Sequence, residues 1–145
     1  MNNEELVSAL QSVISPVVLI SGVGMLVLSM TNRFSHATNR LRVLLDEFSK
    51  REGAPRERTA TQIRIFRRRL QILMQAIALG LGCVLLTALL IIALFANYLL
   101  GTTFRGLVVG TFALSMVSLV GALILFIHDM RVALSALDEE IKEVL

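Results

Sequence analysis

Few side chains in this sequence could carry acid–base, nucleophilic or metal chemistry. There are two histidines, His36 and His128, without an H-x-x-x-H pairing, and a single cysteine, Cys83. Of the carboxylates, only Asp129 stands beside the end of an apolar span. Hydrolysis, phosphoryl transfer and metal-assisted reactions need carboxylates, histidines or nucleophiles that converge in fixed geometry. Magnesium-assisted phosphoryl transfer at a membrane surface also needs acidic ligands close to the headgroups. The expectation is therefore a protein that is not an enzyme and holds no metal or cofactor. Cys83 lies within an apolar run and reads as a small buried hydrophobe. At the end of the third span, His128 and Asp129 could meet His36 and Asn32 in a pH-sensitive polar cluster.

A second pattern is periodic. Ser8, Ser15, Gly22, Ser29 and His36 recur every seven residues, with Gln11, Asn32 and Asn39 on nearly the same helical face. Small and hydroxylated residues repeated in this way let backbones approach and find partners, so the face meets protein or water in preference to lipid. One reading is a packing seam, within the chain or between copies. The other is the wall of a hydrated path enclosed by the first helices of several copies, with Asn32, Arg33, His36, Asn39 and Arg40 at its cytoplasmic mouth. Gly106, Gly110, Ser115 (or Ala113), Ser118 and Gly121 form a similar row, expected to be a helix-contact face. Arg67, Arg68 and Arg69 are adjacent and could each attract anionic lipid headgroups by roughly 1 kcal/mol, or simply anchor the topology. No aromatic or glycine pattern accompanies this charge, which argues against nucleic acid as a partner.

The elements that must position these residues follow from where charge is missing. No formally charged residue lies between Glu5 and Arg33, between Arg69 and Arg105, or between Arg105 and Asp129. About 20 apolar residues in helix cross the roughly 30 Å hydrocarbon layer, so three spans are expected, at about 10–32, 70–100 and 104–127. A 55% hydrophobic content against 17% charged residues agrees with this. The 145 residues are expected to form a single membrane domain, with no room among them for a separate soluble catalytic domain. Between Arg33 and Arg69 stand eleven Lys/Arg against four acids, whereas Glu4 and Glu5 precede the first span and the short hairpin carries only Arg105. The positive-inside rule then puts the long connection in the cytoplasm, the N-terminus and short hairpin outside, and the C-terminus inside with Arg131 and Lys142. The acidic start and the absence of an A-x-A-like site argue against a cleaved leader.

Local signals refine the helices. Asn2 and Asn3 before Glu4 and Glu5 suit a helix start, and Leu6, Leu10, Val13 and Ile14 share a face. Pro16 either begins the first span or kinks it, with a kinked helix beginning nearer Leu10 preferred. Phe34, Ala37, Leu41, Leu44 (or Leu45) and Phe48 carry an apolar stripe onward. Glu52-Gly53-Ala54-Pro55 breaks it. Thr59 to Gln62 then has capping-box spacing, and Ile63, Phe66, Leu70 and Leu73 lead into span two. Asn97, Tyr98 and Gly101 end that span, with Thr102 or Thr103 capping span three. Leu134, Leu137, Ile141 and Val144 predict a third cytoplasmic helix packed on the other two. Its acids (Asp138, Glu139, Glu140, Glu143) would face hairpin arginines, for about 0 to 1 kcal/mol each. The fold class is all-α: three transmembrane helices prolonged into a cytoplasmic antiparallel helical bundle, with 33–69 as a hairpin and 128–145 as a C-terminal helix.

Ser15-Pro16, Leu19-Ile20-Ser21, Leu28-Ser29, Asn32-Arg33 and Asn39-Arg40-Leu41-Arg42, then Arg68-Arg69 before a long apolar run and a Leu-rich acidic tail, carry a resemblance. Across essentially the whole chain it resembles a bacterial family of three-span membrane proteins, domain of unknown function family 2721. The resemblance implies a small integral protein of the bacterial inner membrane and supplies no activity, ligand or catalytic residue. The functional expectation is a non-enzymatic homo-oligomer in an anionic bilayer, with a pore for ions or small solutes lined by the first helix as its specific form. The alternative is a scaffold or regulatory subunit that binds another membrane protein through its cytoplasmic helices. A reporter enzyme inserted between residues 40 and 65 should be active only in its cytosolic form; activity of an exported reporter there would reverse the topology.

Overall fold

Asn2 opens the first helix, α1 (Asn3–Lys50). Its carbonyl accepts the Leu6 amide at 3.2 Å, and its own amide donates to Glu5 Oε2 at 3.1 Å, the reciprocal half of a capping box. The structure is a computed structural model that describes residues 2–101 and 104–145. α1 runs for 48 residues, roughly 72 Å at 1.5 Å per residue, and passes through a buried Pro16 without a break. The first span therefore does not begin afresh at the proline. An interior proline costs about 3 kcal/mol, but ending the helix there would strip several backbone groups of partners in an apolar stretch.

Gly53, at φ +73°, takes the left-handed conformation that ends one helix and starts the next. Its carbonyl accepts Arg56 N at 3.1 Å and Glu57 N at 3.4 Å, so α2 (Ala54–Leu100) begins five residues before Thr59. Thr59 is thus not a cap: it is buried, and its hydroxyl donates to the Pro55 carbonyl at 3.0 Å. Proline in the first turn, where its missing amide needs no partner, is what lets the helix start early. Arg56 stacks on Phe48 at 4.5 Å across the turn. Lys50 pairs with Asp46 at 2.7 Å, and the hydrogen bond to that carboxylate raises the ammonium above its usual range. The second turn uses Gly101, at φ +62°, and the Asn97 side chain, whose Oδ1 accepts Phe104 N at 3.3 Å. α3 (Arg105–Val144) follows. The expected caps Thr102 and Thr103 lie outside the described residues.

Contacts divide the chain into two compact units, Met1–Leu28 with Ala78–Ala122, and Ser29–Ile77 with Leu123–Leu145. In the first, the buried positions are Ala9, Pro16 and Val23 on α1, Gly80, Cys83, Thr87 and Leu90 on α2, and Ser115 and Ala122 on α3. The spacing is seven on the outer helices and alternately three and four on α2, so α2 is the helix that packs on both neighbours. Glycines set the approach. A Cβ on Gly80 would stand 2.7 Å from Val27 Cγ2, one on Gly121 would stand 3.2 Å from Leu79 Cδ1, and Gly82 faces Ser118. Ser118 Oγ donates to the Leu79 carbonyl at 2.7 Å, and the Tyr98 hydroxyl donates to the Glu5 carbonyl. These pairings make the neighbours antiparallel.

Each helix holds an 18-residue apolar window long enough to cross a membrane, and only 11%, 22% and 11% of those windows are buried within the chain. Exposed Val18, Met25, Leu85, Ile92, Val117 and Ile124 belong to such surface. An apolar exterior of this extent suits hydrocarbon and not water. The chain is a multi-pass membrane protein.

In the second unit Met30, Ala37 and Leu44 continue the seven-residue spacing on α1, and Thr59, Leu73 and Ala76 of α2 and Asp129 of α3 are buried as well. The apolar stripe read from Phe34 to Phe48 is turned inward, with Leu44 buried and Leu45 exposed. The α3 stripe is a correction. Leu134, Leu137, Ile141 and Val144 are exposed, as are the four acids nearby, and among the described residues none of those acids pairs with a hairpin arginine. The register set by Ser115, Ala122 and Asp129 continues to half-buried Ala136 and turns the predicted stripe away.

Gly80→Ala should destabilise the protein by about 1 to 3 kcal/mol through overpacking, read as a lower melting temperature in detergent. Gly106→Ala, with nothing within 4 Å of its Cβ, should leave the temperature unchanged or raise it through better helix propensity. Equal responses would contradict the contact.

Candidate functional site

Arg33 closes the first uncharged run, Arg69 opens the second and Asp129 closes the third. The fold brings these three together. Asp129 occupies the buried seam of α3 fourteen residues beyond Ser115, and its side chain has no exposed surface. On α1, Arg33 lies between the seam residues Met30 and Ala37; on α2, Arg69 lies between Phe66 and Leu73. Arg33 Nε and Nη2 donate to Asp129 Oδ2 at 3.3 and 3.2 Å, and Arg69 Nε donates to Oδ1 at 3.2 Å. One carboxylate oxygen therefore goes to each of the other two helices. The side chain of Arg33 is 32% exposed and that of Arg69 is 14% exposed. Each guanidinium also lies over an aromatic ring: Arg33 is 5.7 Å from the Phe126 centroid and Arg69 is 5.4 Å from that of Phe66. Arginine suits this place because its planar, weakly hydrated ion tolerates burial and stacking better than an ammonium.

Two openings flank the cluster. One, of about 320 Å³, is lined by Arg33, His36, Ala37, Phe66 and Arg69. The other, of about 220 Å³, is lined by Ile65, Arg68, Arg69, Ile72, His128 and Val132. Asp129 thus accepts from two arginines, where a cluster with His36 and Asn32 was expected. Both histidines and Asn32 are exposed, and the histidines line different openings. Asp129 is enclosed between the two guanidinium groups, an arrangement that holds charge in place.

Residues 13–139 match the family described as Protein of unknown function (DUF2721). The chain belongs to that family. Neither a curated protein nor a solved structure matches it. The DUF2721 match takes in Ser15-Pro16, both turns and all three members of the ion cluster.

Ser8, Ser15, Gly22, Ser29, Asn32, His36 and Asn39 are all exposed on α1, one to two positions from the buried seam of Ala9, Pro16, Val23, Met30 and Ala37. The stripe is therefore not a seam within the single chain. Ser15 borders an apolar cavity of about 340 Å³ with Pro16, Thr87, Phe112 and Met116. Arg33, expected at the mouth of a path, donates to Asp129, while Arg40 is exposed. Arg67 and Arg68 are exposed and Arg69 turns inward, since consecutive helical residues point about 100° apart. Gly106 and Gly110 meet nothing within 4 Å, whereas Gly121 packs on Leu79. Sequence reasoning missed Gly80 and Gly82, and missed the arginines as partners of Asp129, although all three ions stand at the edges of uncharged runs.

Asp129→Asn would leave two partly buried arginines facing each other. Removing one member of a buried ion cluster costs about 3 to 5 kcal/mol, so this variant should melt far below the parent protein in detergent. Arg33→Gln, which leaves a one-to-one pair, should lose less. A melting temperature for Asp129→Asn within error of the parent would contradict the ion cluster.

Proposed function

We propose that this protein is a non-enzymatic homo-oligomer of the bacterial inner membrane, with its N-terminus outside and its arginine-rich unit in the cytoplasm, whose first helices meet between copies. In its specific form the copies enclose a pore for ions or small solutes. The observation that carries this reading is the seven-residue polar stripe on the exposed side of α1. Its period equals that of the adjacent buried seam, so a second helix could follow it without losing register. Ser15 and Ser29 form no hydrogen bond with another helix among the described residues, and in hydrocarbon a hydroxyl gains from a partner across an interface or from water. Arg67 and Arg68 would rest among anionic headgroups.

A scaffold or regulatory subunit is the second reading, favoured by the unpacked Leu134, Leu137, Ile141 and Val144 beside an acidic face. That amphipathic end suits a groove on another membrane protein. The two readings separate on a Cys83→Ser background carrying one new cysteine at Ser15, Ser29 or Asn32. A pore predicts a mass of several chains in detergent, reaction of all three with small water-soluble thiol reagents, and ion flux in liposomes that the modification changes. A single-chain mass, no flux and protected thiols would rule the pore out, and co-purification through 128–145 would favour the scaffold.

A further inference from the structure

We propose that the opening between α1 and α2 lined by Arg33, His36, Ala37, Phe66 and Arg69 is a binding site for a phosphate group. The group would come either from the phosphodiester of an anionic phospholipid or from soluble phosphate. This inference does not rest on association of copies.

Four observations converge. The first is the supply of donors. Asp129 engages Nε and Nη2 of Arg33 but only Nε of Arg69. One terminal nitrogen of the former and both of the latter therefore stay available for another acceptor, and arginine nitrogens match phosphate oxygens in geometry. The second is preorganisation. Both guanidinium groups are held from behind by an enclosed carboxylate and from the side by Phe126 and Phe66. An incoming anion does not have to immobilise them, which removes a usual cost of binding. The third is charge. Two arginines against one carboxylate leave a net positive charge, the carboxylate is turned away from solvent, and exposed His36 and Arg40 add protonatable or cationic groups on the same side of α1. The fourth is depth. Arg33 and Arg69 are the residues where the uncharged runs of their helices end, which in a bilayer is the level of headgroup phosphates. The opening beside His128 holds Arg68 and Arg69 but lacks this combination, because exposed Arg68 is not held by Asp129 and the rest of the lining includes Ile65, Ile72 and Val132.

The test is native mass spectrometry of the full chain in a neutral maltoside detergent, titrated with phosphatidylglycerol, phosphatidylcholine and inorganic phosphate. Phosphatidylglycerol should be retained about tenfold more tightly than phosphatidylcholine, which offers the same phosphodiester but carries a choline cation that the net positive site repels. His36→Asp places a negative charge in the opening, where it repels a phosphate and competes for the spare guanidinium nitrogens while Asp129 keeps its own bonds, and should abolish that preference. His128→Asp should preserve it. His36→Gln serves as a second variant, with a smaller loss in the same direction, should the aspartate unfold the protein. Competition by millimolar inorganic phosphate would identify soluble phosphate as a ligand in its own right, and retention of the lipid despite phosphate would identify the headgroup. Equal retention of the two lipids without competition by phosphate, or equal losses for His36→Asp and His128→Asp, would overturn the site.

Discussion

A carboxylate with no exposed surface needs opposite charge within hydrogen-bonding distance, and Asp129 takes it from two helices at once. That demand constrains how the three helices of the charged unit line up. Apolar seams repeating every seven residues tolerate a slip of one repeat, about 10 Å along the helix, because Leu, Val and Ala pack acceptably on one another in either register. An ion cluster does not tolerate it. A slip of α3 by one repeat would leave a buried carboxylate unpaired, at a cost of several kcal/mol. The cluster is therefore better understood as a register lock than as a source of stability, since hydrophobic residues of the same volume often do as well energetically.

In the apolar unit a different force holds the helices. Lipid tails solvate leucine as well as another helix does, so close packing and short polar links must supply the attraction. Gly80, Gly82 and Gly121 admit neighbouring side chains at close range, and Ser118 hydrogen-bonds the backbone of α2 directly. The division of labour follows from the two solvents: small residues where the surroundings are hydrocarbon, a shared charge where charge first becomes affordable.

Much of this was legible in the sequence. Long uncharged runs announced three helices long and apolar enough to cross a membrane, because the cost of burying an ion in hydrocarbon leaves a gap in the charge pattern that composition alone would blur. Gly53 and Gly101 ended helices as their backbone freedom predicts, and the stripe from Phe34 to Phe48 faced inward. The end of α3 was not legible. Leu134, Leu137, Ile141 and Val144 have sound amphipathic spacing, but the face a continuous helix presents is decided upstream, by Ser115, Ala122 and Asp129. Gly80 escaped notice because a glycine in a membrane helix shows its purpose only through the residue opposite, Val27. The partners of Asp129 were hidden for a related reason: several polar groups cluster near the ends of the runs, and only the relative rotation of three helices selects arginines over histidines. The polar stripe of α1 was legible as a pattern, and its exposure in the single chain is what turns attention to other copies or to water.

The claim that one carboxylate sets helix register through two arginines is tested most directly by a double-mutant cycle between Asp129 and Arg69, measured by unfolding in detergent. Asp129→Asn, Arg69→Gln and the double variant should give a coupling energy of at least about 1.5 kcal/mol, with the double variant less destabilised than the sum of the single ones. Additive losses, with coupling below about 0.5 kcal/mol, would show the two ions to be independent and would remove the register lock on which this account depends.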